Sequence, residues 1–157
     1  MDRDGCLTEE VGYVNHPSRI RLLPRTAEAV CRLNRAGVAA VMVTNQTGIA
    51  RGYFTEETLH AANARMREAL EAGGARLDGL YVCMHHPSEG EPPYRAQCDC
   101  RKPRPGLLHR AAADAVALPA RYEPFGNVHL EALASGVPVL SSARTGGSEI
   151  VRQGANG

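Results

Sequence analysis

Apolar residues recur at helical spacing from Thr26 to Ala36, where Ala29, Val30 and Leu33 share a face and Gly37 ends the run. Val38 to Val43 follows as a short continuous apolar run, the pattern of a strand buried on both faces of a parallel sheet. A polar turn, Thr44-Asn45-Gln46-Thr47-Gly48, closes it. Thr55 is placed to cap a second helix, with Glu56 and Glu57 at its positive end, and Gly73-Gly74 stops that helix after Ala72. Leu77 to Val82 reads as a second strand. From Cys83 to Lys102 the periodicity vanishes, and so long an irregular stretch inside a compact domain calls for a staple such as a metal. Pro105 then opens a helix to about Val116, 127–135 suits a fourth helix, and Val137 to Leu140 a third strand. Alternating helices and strands predict an α/β fold around a parallel sheet.

The chain's 157 residues favour one domain, because two would each sit near the lower limit for a self-sufficient core. Hydrophobic residues at 43% and charged residues at 22% exclude a disordered chain. Aromatic residues are only 4%, so the core must be built from Ala, Leu and Val. The formal charge of +1 argues against a nucleic-acid or acidic-membrane partner, whose binding draws on concentrated positive charge. The longest apolar run is far too short to span a bilayer, and no signal-like segment opens the chain, so a cytoplasmic protein is expected.

Five cysteines are an odd number, and Cys83, Cys98 and Cys100 crowd one segment. Cys83-x-His85 and Cys98-x-Cys100 offer four soft or borderline ligands on the two sides of a loop, the composition of a closed structural Zn²⁺ site. The alternative is a set of scattered buried thiols and a surface histidine. His86 is expected to be a supporting or surface residue, and Cys31 to pack in the core.

The first residues carry a different chemistry. Asp2 and Asp4, two apart in an extended segment, would point to one side, which suits a divalent cation or a division of labour between nucleophile and general acid. Solvated terminal charges are the plainer alternative. Thr44 and Asn45 fall at the end of a parallel strand, where such sheets bind ligands, although a turn or helix cap accounts for them equally simply. Lys102, from another loop, could neutralise a phosphate held there.

The ordered blocks Asp2-Arg3-Asp4-Gly5, Thr44-Asn45-Gln46-Thr47-Gly48-Ile49-Ala50-Arg51-Gly52 and Cys100-Arg101-Lys102-Pro103 resemble the haloacid-dehalogenase-like phosphatases, and within them the heptose bisphosphate phosphatases. The likeness covers about residues 2–118 and includes the Cys-x-His…Cys-x-Cys loop. It implies a Rossmann-like parallel sheet and Mg²⁺-dependent removal of the 7-phosphate from a heptose 1,7-bisphosphate. Carried over, Asp2 would be the nucleophile and Asp4 the general acid and base. Thr44 and Asn45 would hold phosphoryl oxygens, with Gln46 and Thr47 beside them, and Lys102 would offset their charge. Glu10, Gly12 and Tyr13 would border the sugar, and Arg51 and Arg101 would meet its second phosphate. Mg²⁺ would be held by Asp2, the carbonyl of Asp4 and a later acidic residue. The partner is a small sugar phosphate, with no nucleic acid or membrane, and the chain is expected to be a monomer.

Two departures bear on that expectation. Only Met1 precedes Asp2, where the family has an apolar strand, so the fold is expected to be incomplete there. Asn127 follows Gly126 where the family has an aspartate, and its uncharged side chain would hold a cation more weakly. From about Tyr122 the sequence is instead similar to the nucleotide-sugar site of retaining glycosyltransferases: Glu123 and Glu131 match its Glu-x7-Glu pair, and Phe125-Gly126-Asn127-Val128 its diphosphate turn. The expected division is a phosphatase domain over 1–120 and a glycosyltransferase-like fragment over 121–157, completing the sheet or appended to it. The rival functions are a catalytically impaired chimaeric binding module and a nucleotide-sugar-binding remnant.

Overall fold

The computed structural model describes residues 1–111, 116–118, 132–133, 138–141, 151–152 and 154–155. Glu123, Gly126, Asn127 and Glu131 lie outside them, as does the predicted helix over 127–135 apart from residues 132 and 133. The element order is α1 (Thr26–Arg35), β1 (Val41–Asn45), α2 (Glu56–Ala72), β2 (Gly79–Cys83), α3 (Gly106–Ala111), β3 (Val116–Leu118) and β4 (Val139–Ser141), with a short 3-10 turn at Pro17–Arg19 before α1.

The two long helices form where the pattern placed them. Thr55 caps α2 by accepting the Thr58 N–H at 3.2 Å, and Glu56 and Glu57 lie in its first turn. Its inner face buries Leu59, Met66 and Leu70, each contributing about 1.5–3 kcal/mol of hydrophobic stabilisation. In α1 only Val30 of the three predicted apolar positions is buried; Ala29 and Leu33 instead line a groove of about 610 Å³ with Met1, Cys6, Leu7 and Leu23. Cys31 is half-buried and packs against the core that Leu7, Val30, Met42, Met66 and Leu70 share.

The strands are shifted from their predicted bounds. β1 runs parallel to β2 with Val41 opposite Gly79 and Asn45 opposite Cys83. Pairing therefore begins later than the apolar run, and Val38 is 49% exposed. Asp78 fastens the start of the pair: its carboxylate accepts the Ala40 N–H at 2.8 Å and the Arg76 Nε–H at 2.9 Å. The Ala40 bond first, and Arg76 second, hold this carboxyl below the usual range. Met1 lies along the other edge of β1, donating to the Val41 carbonyl and accepting from the Val43 N–H, both at 2.8 Å.

The C-terminal predictions need correction. The helix expected from Pro105 to Val116 ends at Ala111 among the described residues, and Val116 belongs to β3. The expected single sheet is, among those residues, two two-stranded parallel sheets, β1-β2 and β3-β4. No described strand joins the free edge of β1 to β3, although Val139 packs in one apolar cluster with Val43, Cys83 and Leu107. No helix among the described residues is long and apolar enough to cross a membrane.

Candidate active site

The register of the sheet builds the site. It sets Thr44 and Asn45, at the end of β1, beside Val82 and Cys83 at the end of β2, and the Gln46 N–H continues the ladder by donating to the Cys83 carbonyl at 2.7 Å. The loop after β1 and the segment that ends at Lys102 therefore meet at one edge. There the Asn45 carboxamide donates through Nδ2 to the Lys102 carbonyl at 3.2 Å and accepts the Lys102 N–H at 3.1 Å. The Lys102 ammonium makes an ion pair with Asp2 Oδ2. Asp2 Oδ1 accepts the Arg3 N–H at 2.7 Å.

Residues 2–8 form a tight turn rather than the expected extended segment. The Arg3 carbonyl accepts N–H bonds from Cys6, Leu7 and Thr8, and Gly5 takes the positive φ of +72° that the turn requires. The turn buries Arg3 to 1% exposure and aims its guanidinium at Asp4: Nε reaches Oδ1 at 2.9 Å and Nη2 reaches Oδ2 at 3.0 Å. Gln46 lies against both, accepting Arg3 Nη2 on Oε1 at 2.7 Å and donating from Nε2 to Asp4 Oδ2 at 2.7 Å and to Thr44 Oγ1 at 3.2 Å.

A cleft of about 230 Å³ opens beside Asp4, lined also by Glu10, Gly12, Tyr13, Asn45, Gln46, Thr47 and Gly48. Glu10 holds its rim by accepting the Gly12 N–H at 2.8 Å. Only glycine fits at position 48, because a Cβ there would overlap the Phe54 ring and come within 2.9 Å of Tyr13 Cδ1. Outside the cleft, Tyr13 meets Tyr53 edge to face with centroids 4.5 Å apart, and its hydroxyl accepts Arg51 Nη1 at 2.6 Å. Glu89 takes the other side of Arg51 at 3.1 Å. His86 is buried beneath this pair; its Nδ1 accepts the Glu89 N–H at 2.9 Å, which turns Nε2 toward the Glu89 carboxylate at 3.4 Å.

Cys83, His85, Cys98 and Cys100 bring their ligand atoms within 4.8 Å of one another. The pairs Cys83–Cys98, Cys83–His85 and His85–Cys100 stand at 3.7, 3.8 and 3.4 Å. A tetrahedron with metal–sulfur bonds of about 2.3 Å has edges of roughly 3.5–3.8 Å, so donor type and spacing both fit Zn²⁺. The thiols are electrostatically mismatched as they stand. Burial pushes Cys83 up, with Cys100 and Cys98 adding to it. Burial works against ionisation of Cys98 too, but bonds from Cys100 and the Arg101 N–H outweigh it and hold Cys98 below the usual range. A cation that takes three thiolates relieves such crowding. His86 supplies no ligand atom to the cluster.

The structure thus brings Asp4, Glu10, Gly12, Tyr13, Asn45, Gln46 and Thr47 to one cleft. Lys102 meets Asp2, and Thr44 is buried behind Gln46. Arg51 stands outside the cleft lining, held by Tyr13 and Glu89, and Arg101 donates to the His85 carbonyl at 3.3 Å. Among the described residues no third acidic, histidine or cysteine side chain joins Asp2 and Asp4 at metal-ligand spacing. Arg3 Nη1 also donates to Oδ1 of the buried Asn63 on α2 at 3.3 Å, and sequence reasoning singled out neither residue. A residue between two aspartates reads as a spacer, and Asn63 reads as one polar position on a helix.

A family model described as glycosyl transferases group 1 matches residues 102–157. Curated relatives match a larger share of the chain. The D-glycero-beta-D-manno-heptose-1,7-bisphosphate 7-phosphatase of Photorhabdus laumondii is 44% identical over 108 residues, covering 69% of this chain and 57% of its own length. The Haemophilus influenzae enzyme of the same name is 36% identical over 111 residues, covering 71% and 60%. The chain spans less than two thirds of the length of these curated relatives. Among solved structures, the D,D-heptose 1,7-bisphosphate phosphatase of B. bronchiseptica, complexed with magnesium and phosphate, superposes with a TM-score of 0.73 at 30% identity, covering 99% of this chain and 86% of that one. With the acidic pair, the paired lysine and the Cys/His loop on one frame and these relatives beside it, the chain belongs to the heptose bisphosphate phosphatases of the haloacid-dehalogenase-like superfamily.

Proposed function

We propose that the chain hydrolyses a sugar phosphomonoester, removing the 7-phosphate of D-glycero-D-manno-heptose 1,7-bisphosphate. The observation that carries this is the ion pair of Lys102 with Asp2 at the edge where Asp4 lines a cleft. An oxygen of Asp2 attacks phosphorus, and the bond to the sugar oxygen breaks as Asp4 delivers a proton to that oxygen. Water then attacks the aspartyl phosphate, Asp4 takes its proton, and the phosphorus–Asp2 bond breaks to release phosphate. Lys102 offsets the charge on the transferring oxygens, Thr44 and Asn45 border them with Gln46 and Thr47 alongside, and Glu10, Gly12 and Tyr13 contact the sugar. Arg51 and Arg101 serve the second phosphate.

The Asp2 carboxylate and the Asp4 carbonyl are hard oxygen donors of the kind Mg²⁺ takes together with water and substrate phosphate, and Asn127 is the further candidate. Bound there, the ion neutralises charge on the phosphoryl group. The Cys83, His85, Cys98 and Cys100 site holds structural Zn²⁺. The protein is cytoplasmic and monomeric in this reading, with the phosphatase domain over 1–120.

Phosphorus NMR of the Mg²⁺-supplemented protein with heptose 1,7-bisphosphate tests the reading. Loss of the C7 phosphomonoester signal with the anomeric phosphate retained is expected; an unchanged spectrum would contradict it.

A second reading rests on the glycosyl transferase match over 102–157, which suggests that residues from about 121 bind a nucleotide sugar through Glu123 and Glu131. Calorimetry with a nucleotide diphosphate sugar should then give a binding isotherm that Glu131→Ala weakens; an isotherm unchanged by that substitution would dispose of it.

A further inference from the structure

We propose that Arg3 is the positioning residue of the general acid, locking the Asp4 carboxylate through a guanidinium fork anchored on α2; this rests on the phosphatase reading above. Arg3 is 1% exposed, and its guanidinium is satisfied from three elements. Nε and Nη2 form the two-point fork on Asp4 at 2.9 and 3.0 Å. Nη2 also reaches Gln46 Oε1 at 2.7 Å, and Nη1 reaches Asn63 Oδ1 at 3.3 Å. Asn63 is a buried residue of α2, 6% exposed, so the fork is referred to a rigid helix rather than to the turn that carries it.

The chemistry of the groups makes the arrangement one-way. A guanidinium has donors and no acceptor, so the Gln46 carbonyl oxygen must face it. That fixes the amide, whose Nε2 is then turned onto Asp4 Oδ2 at 2.7 Å. Arg3 therefore sets the carboxylate plane directly through the fork and again through Gln46. Lysine cannot replace it, because one ammonium carries the charge without the planar fork. Coulombic support alone would not require this geometry.

The test separates positioning from general stability by the leaving group. The ratio kcat/KM reports the steps through phosphoryl transfer. An alkyl phosphate such as the sugar substrate needs a proton on its departing oxygen, whereas p-nitrophenyl phosphate leaves readily without one. Arg3→Lys is expected to lower kcat/KM on the sugar bisphosphate by about 10²-fold and on p-nitrophenyl phosphate by only a few-fold. Asn63→Ala, a milder cut to the anchor on α2, should show the same selectivity at about a tenth of the size. Circular dichroism and thermal melting establish that each variant is folded. Equal losses on both substrates in two folded variants, or equal rates in Arg3→Lys and wild type, would overturn the proposal. Wild-type protein inactive on both substrates would overturn the phosphatase reading, and the role of Arg3 with it.

Discussion

Asn45 and Lys102, 57 positions apart, are joined by two hydrogen bonds that use both ends of the asparagine carboxamide. The lysine backbone is thereby fixed at the end of β1 while its side chain extends to Asp2. Asn45 thus acts on Lys102 in addition to the phosphoryl contact proposed for it. Asn45→Ala is expected to lower kcat/KM by about 10–100-fold, the cost of a small misplacement at a reacting centre. Asn45→Asp should be no better, because an oxygen would face the Lys102 carbonyl. Steady-state kinetics of the two variants checks this; wild-type rates in either would show that the clasp is incidental.

The Cys/His cluster closes the loop that delivers Arg101 and Lys102, the two residues that follow Cys100. Elemental analysis is expected to find about one zinc per chain. Cys98→Ser should reduce occupancy to well under half, lower the melting temperature and reduce kcat/KM together. Full occupancy in that variant would refute the ligand assignment.

Tyr13 and Glu89 hold Arg51 from opposite sides. Tyr13→Phe removes the 2.6 Å bond and keeps the ring against Tyr53. KM for the bisphosphate should rise by about tenfold or less with kcat little changed, as befits a contact made equally in ground and transition states. A fall in kcat at constant KM would place Tyr13 in the chemical step instead.

Asp78 gives the fold a defined acid sensitivity. Its folded-state pKa is depressed by the Ala40 N–H and Arg76, so its contribution is complete above the unfolded carboxyl value of about 3.9 and is lost as pH falls through the depressed value. Asp78→Ala should therefore be less stable than wild type at neutral pH, and the difference should shrink in strong acid. Denaturant midpoints across that range measure it; a gap that widens on acidification would contradict the sign.

The second helix was legible because local signals coincide at its ends: Thr55 before Glu56 and Glu57, Gly73 after Ala72. The onset of β1 was not, because an apolar run marks burial while a strand begins where a partner pairs, here opposite Gly79. The Cys/His cluster was legible from spacing alone, since two ligands on each side of a loop meet when the loop closes. The acidic pair needed the resemblance to be singled out. Arg3 escaped both routes: its role depends on a turn that folds the spacer back onto Asp4, and on Asn63, sixty residues away.

Phosphate release from heptose 1,7-bisphosphate in the presence of Mg²⁺, compared among wild type, Asp2→Asn and Lys102→Ala, tests the phosphatase assignment most directly. Turnover by wild type, none above background in Asp2→Asn, and a fall of about 10²–10³-fold in Lys102→Ala are expected. A wild-type rate no greater than that of Asp2→Asn would contradict it.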